Sequence, residues 1–199
     1  MTDRPTHAGS GPVPGRDAGR SDLLESLRRR LPGLLWRDLA GMAVDPRLPA
    51  VARREAERVL EARLPELAVG ARVTLARIAS RGVLGALSGD PEPRVLEALA
   101  RNPRCTDADI ERIVARPDVP PAFLTWLTAG SERDRTTAVR LAILRHPRTP
   151  VAAALRLTER LDPHDLARID DDPGMPRVVR VAAARRARAA GASAAPNGG

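Results

Sequence analysis

The chain has 199 residues, enough for one domain with a sizeable core, and a formal net charge of +8 in which every basic residue is arginine. With no tyrosine, one phenylalanine and two tryptophans, its 43 % hydrophobic content is nearly all Ala, Leu and Val. That composition suits closely packed helices and speaks against an all-β fold. A single cysteine, Cys105, excludes an internal disulfide and a zinc site built on paired thiolates.

The absence of lysine, beside abundant Ala, Pro and Gly, resembles the codon bias of a GC-rich, bacterial genome. The net charge alone is therefore weak ground for nucleic-acid binding. The first twenty residues hold no apolar core of the kind a signal peptide needs, and no apolar run approaches the roughly 18 residues of a membrane span. The expectation is a soluble cytoplasmic protein.

Residues 1–20 offer little to bury and are expected to be a disordered tail, as are residues 191–199. Residues 21–88 are expected to form an N-terminal helical region, either a cap or degenerate repeats. Asp22 and Glu25 have capping-box spacing ahead of Leu23, Leu24, Leu27 and Leu31. Pro32-Gly33 interrupts, and a short segment with Leu34, Leu35, Trp36 and Leu39 ends at Asp45-Pro46. Pro49 opens a predicted helix over Ala50–Leu64 with Ala52, Ala56, Val59 and Leu60 inward, and Pro65 stops it. Helices near Leu67–Ser80 and Val83–Leu87 follow.

Residues 89–190 carry an internal repeat, with units near 90–133 and 134–175 and a capping helix over 176–190. Val95–Asp118 returns as Val139–Asp162 at a spacing of 44 residues, with nine of 24 positions identical, against the two or three that composition alone would give. In the first unit a helix over Pro93–Arg101 ends at Asn102-Pro103, and Thr106 with Asp109 opens the next. Asp118 and two prolines then lead into a short segment holding Phe123, Leu124, Trp126 and Leu127. In the second unit Ser131 is the expected cap of a helix reaching Arg145, His146-Pro147 ends it, and Thr149-Pro150 opens the following helix. Asp162-Pro163 begins a third with Leu166 and Ile169. Asn102 and His146 both suit a left-handed cap conformation. A weaker echo links Asp45-Pro46, Asp90-Pro91 and Asp172-Pro173 as helix-opening turns.

The stretches DPEPRVLEALARNPRCT and VRLAILRHPRTPVAAALRL resemble bacterial HEAT-like or leucine-rich-repeat-variant (armadillo-type) helical repeats. The likeness implies an all-α fold, a right-handed α-solenoid of antiparallel helix pairs with disordered termini. It implies a curved binding surface and no particular activity.

Candidate partner-binding residues fall in two sets. Arg101, Arg104, Arg145 and Arg148 stand at equivalent places around the two Pro turns, as a basic ladder or as simple helix-end charges. Arg177, Arg180 and Arg188, with Arg185 nearby, share a side of the last helix, whose Val178, Val181, Ala182 and Ala183 are expected to close the solenoid. Trp36 and Trp126 lie among leucines and are expected in the core. His7, His146, His164 and Cys105 are scattered without metal-ligand spacing, so no metal, cofactor or catalytic residue is assigned. The leading expectation is a non-enzymatic interaction module or scaffold whose partner is an extended or helical segment of another protein. Nucleic-acid binding through the Arg-rich edge is the second reading, and an enzyme on the same scaffold the third.

Overall fold

The computed structural model describes residues 16–129 and 136–194. These residues form twelve α-helices, two short 3-10 turns and no strand. The expected tails over 1–15 and 195–199, His7 and the Ser131 cap lie outside the described residues. The chain divides into two compact units, Met1–Ala62 and Arg63–Gly199.

The first unit holds α1 (Arg16–Arg30), α2 (Trp36–Val44) and α3 (Ala50–Arg63). Helix α1 begins inside the stretch expected as a tail, so Asp22 lies mid-helix and is not a cap. The offset of three between Asp22 and Glu25 is here the ordinary spacing of neighbours on one helical face. A 3-10 turn over Leu31–Gly33 ends α1, and the same device, again Leu followed by Pro, recurs over Leu64–Glu66 after α3. Proline tolerates this place because its missing N–H is not needed in the first turn. The core is Leu31, Leu39, Ala40, Ala43, Ala52, Ala56, Val59 and Leu60. Glu55 is buried among them and answers Arg58, 2.6 Å away, and Arg28 at 3.7 Å. The Arg58 hydrogen bond holds its carboxyl below the usual glutamate range.

The second unit contains α4 (Val69–Ile78), α5 (Arg81–Leu87), α6 (Pro93–Ala100), α7 (Asp107–Val114), α8 (Pro121–Ala129), α9 (Thr137–Arg145), α10 (Val151–Thr158), α11 (Pro163–Asp170) and α12 (Arg177–Ala194). Helix α12 extends beyond Gly191, where a tail was expected. Helices α4, α6, α8, α10 and α12 pack each on the next, α7 meets α9, and α11 meets α12. Helices α7 and α10 are the same length and start 44 residues apart. The core is aliphatic around the fully buried Phe123, with Leu96, Leu99, Ile110, Ile113 and Ile143 among its other buried side chains. Burying each such side chain contributes roughly 1.5–3 kcal/mol before entropy is counted.

Polar side chains fix the turns. Asp45, Asp90 and Asp172 each accept the N–H two residues on, from Arg47 (2.9 Å), Glu92 (2.9 Å) and Gly174 (2.8 Å). All three are Asx turns set by an Asp-Pro pair ahead of a helix. Thr106 and Asp109 form the expected capping box of α7, and Asp162 caps α11.

The left-handed caps expected at Asn102 and His146 are absent: neither residue has positive φ. Their side chains do the work instead. Asn102 is fully buried and donates to the carbonyls of Ala76 (2.8 Å) and Ala79 (3.1 Å) at the end of α4, while its Oδ1 accepts from Arg104 N–H. His146 accepts from Arg148 N–H through Nδ1, so its ring proton sits on Nε2 and is donated to Arg116 O at 3.0 Å, just past α7. Each turn is thus clasped to the helix three before it in the chain.

A candidate binding face along the last helix

Ion pairs between turns decide which arginines are already occupied. Arg72 forks onto buried Asp90, with Nε 2.7 Å from Oδ2, and its Nη1 donates to Leu67 O. Arg81 bonds Asp109 and, at 2.9 Å, the Arg104 carbonyl. Burial opposes the charge of Asp109, but hydrogen bonds from Arg81 and Thr106 outweigh it and hold the carboxyl well below the usual aspartate range. Arg116 pairs with Asp118 at 2.8 Å and donates to Ser88 O and Gly89 O. Arg145 lies 2.7 Å from Asp172, whose carboxyl the same contact, aided by Gly174 N–H, holds below its ordinary range.

The proposed ladder of Arg101, Arg104, Arg145 and Arg148 is therefore divided in its bonding. Arg101 lies 3.8 Å from Glu97 and stacks over Trp126 at 4.7 Å, and Arg145 belongs to Asp172. Arg104 and Arg148 are exposed at their turns. Neither tryptophan is fully buried as expected. Trp36 is partly exposed under Arg37, and Trp126, also partly exposed, meets both Arg101 and the ring of Phe123, whose centre is 5.9 Å away.

The second set is brought together. Arg177, Arg180, Arg185 and Arg188, together with Asp170, line one shallow cleft of about 370 Å³ along α12. The four follow one another at offsets of three, five and three, which keeps them on one broad side of the helix, with Arg185 at its margin.

Beside it runs a second groove, of about 540 Å³, between α10 and α12. Its floor is Leu155, Thr158, Val178, Val181, Ala182 and Ala189, and its edges carry Glu159, Arg185 and Arg186. This corrects the expected orientation of α12 in part, for Ala183 is buried as expected. Val179 and Ala183 face the core, whereas Val178 is 42 % exposed and Val181 50 %. Helices α11 and α10 both pack on α12, and Val178, Val181, Ala182 and Ala183 spread too far around one helix to be turned inward together. Val151, also exposed, lies on α10.

Cys105 is buried, with its Sγ 3.8 Å from Thr106 O, and both ring nitrogens of His146 are engaged by backbone. Among the described residues no group of three or more His, Cys, Asp or Glu could hold a metal ion, and no helix is long and apolar enough to cross a membrane. No protein family matches the chain, and neither a curated protein nor a solved structure does.

Proposed function

We propose that the protein is a non-enzymatic interaction module, a right-handed solenoid of HEAT-like units, whose α10–α12 groove takes up an acidic, amphipathic helical segment of another protein. The observation that carries this reading is the groove itself: an apolar floor left open to solvent on a helix edged by arginines. Scattered exposed aliphatics need no explanation, but Val178 and Val181 are adjacent on one face and continuous with Leu155. Arg185 and Arg186 outnumber Glu159 at the edge, so the complementary occupant carries acidic residues beside an apolar stripe. The 44-residue repeat and the serial packing of α4, α6, α8, α10 and α12 support the solenoid reading.

The test is fluorescence anisotropy with a designed peptide bearing Leu and Glu at helical spacing, and a Leu/Lys counterpart. Saturable binding of the acidic peptide alone is expected, weakened at least tenfold by V178E. Equal binding of both peptides, no binding, or occupation of the groove by a second copy, seen as dimerisation abolished by V178E, would overturn it.

Nucleic acid is the second reading, favoured by the four arginines of the neighbouring cleft. It requires duplex binding that falls steeply with salt.

A further inference from the structure

The Arg177, Arg180, Arg185 and Arg188 cleft is a site of its own, and we infer that it seats the phosphate of a phosphorylated serine or threonine on the segment held in the groove. This rests on the groove reading above for the source of the phosphate, though not for its chemistry. Four arginines line this cleft of about 370 Å³, with Asp170 among them, and Arg180 is near enough to Asp172 to help hold that carboxyl below its ordinary range. Among the described residues, no carboxylate comes within ion-pair distance of any of the four. Elsewhere in the same unit Arg72, Arg81, Arg116 and Arg145 all have carboxylate partners. Arginine clusters left unpaired are the usual seat of phosphoryl groups, whose oxygens match the planar fork.

Two further observations point to an anion. The Nε of Arg180 is shut away from solvent with no hydrogen-bond acceptor. A buried N–H without a partner is unfavourable, and a turn of the Arg180 side chain toward an oxyanion in the cleft would relieve it. Arg177 and Arg180 also stand at the start of α12, whose first turn has no acidic residue. The positive end of a helix disfavours cations and favours anions, and of these two arginines Arg180 is offset in part by Asp172.

The cleft and the groove share Val181 and Arg185. A segment lying on Val181 therefore brings its neighbouring side chains to the cleft mouth. No aromatic side chain lines the cleft, so it has no platform for stacking bases. These two facts favour a phosphorylated protein segment over single-stranded nucleic acid.

The experiment uses the full chain and three probes: inorganic phosphate, the Leu/Glu peptide with and without one phosphoserine, and a mixed-sequence DNA duplex. Saturable phosphate-induced shifts of the Arg180 Nε–H resonance in NMR spectra are expected, with chloride at equal ionic strength giving none. The phosphopeptide should bind at least tenfold tighter than its unmodified form. R180Q and R188Q, each tested separately so that one folding defect does not decide the matter, should erase that tenfold difference and leave the unmodified peptide's affinity unchanged. Equal binding of the two peptides, with no phosphate shift, would overturn the phosphate seat while leaving the groove reading intact. Phosphate binding without either peptide would remove the groove reading, and with it the protein segment as the phosphate's source. Duplex binding tighter than the phosphopeptide and lost in R180Q would overturn the protein partner in favour of nucleic acid.

Discussion

His146 does the work of Asn102 at a position 44 residues later in the chain. In both turns a side-chain acceptor receives the N–H two residues on, at 2.9 Å for Asn102 and 3.1 Å for His146, while a donor on the same side chain reaches back to an earlier helix end. The two residues share little beyond one donor and one acceptor at opposite edges of a flat group. That shared chemistry is what the turn requires.

It follows that His146→Asn should leave stability within about 1 kcal/mol, because the amide offers the same pair of bonds. His146→Leu and Asn102→Leu should each destabilise by about 2–3 kcal/mol, since buried backbone groups lose their partners. Urea unfolding followed by circular dichroism measures all three. An H146L midpoint equal to wild type would show that the clasp contributes nothing.

The Arg72–Asp90 pair is sheltered, with side chains 16 % and 6 % exposed. Asp90 also holds the Glu92 N–H, and Arg72 the Leu67 carbonyl. Removing one partner leaves the other charge stranded, so D90A should destabilise the second unit by about 3–5 kcal/mol. The double variant R72M/D90A should recover part of that loss, because its single charge is gone. A D90A loss that R72M does not relieve would place the effect in the Asx turn rather than in the pair.

Asp109 sets an acid limit on the same unit. Its carboxyl is held below the usual range in the folded state, so the stabilisation is complete above the unfolded aspartate pKa of about 4. It is lost as pH falls below that value toward the folded pKa, where the unfolded chain takes up the proton first. Wild type should therefore show a falling melting temperature between about pH 4 and pH 2, and D109N a shallower slope over the same window. Parallel slopes would mean that other carboxylates govern the acid transition.

The helices were legible because their ends are written in local chemistry. Pro93, Thr106, Pro121 and Asp162 each act through their own backbone and nearest neighbours, and each lies within a residue of the observed start. The arginine strip of α12 was legible for the same reason, since one helical face follows from offsets alone. What the sequence could not reveal depends on partners distant in the chain. Asn102 and His146 suit a left-handed cap as well as a side-chain clasp, and the choice is made by Ala76, Ala79 and Arg116. Val178 and Val181 look as apolar as Val179, but only the positions of α10 and α11 decide which valine is covered. Asp22 misled because α1 begins upstream of it, at Arg16.

The chain's two tryptophans fall one to each compact unit, Trp36 in the first and Trp126 in the second. Each indole lies under a different arginine, at 5.3 Å for Arg37 and 4.7 Å for Arg101. The molecule thus carries two built-in fluorophores with separate surroundings and no tyrosine background. With W36F and W126F in hand, the melting of either unit can be watched through its own emission, and whether the two halves come apart together becomes a matter of comparing two curves.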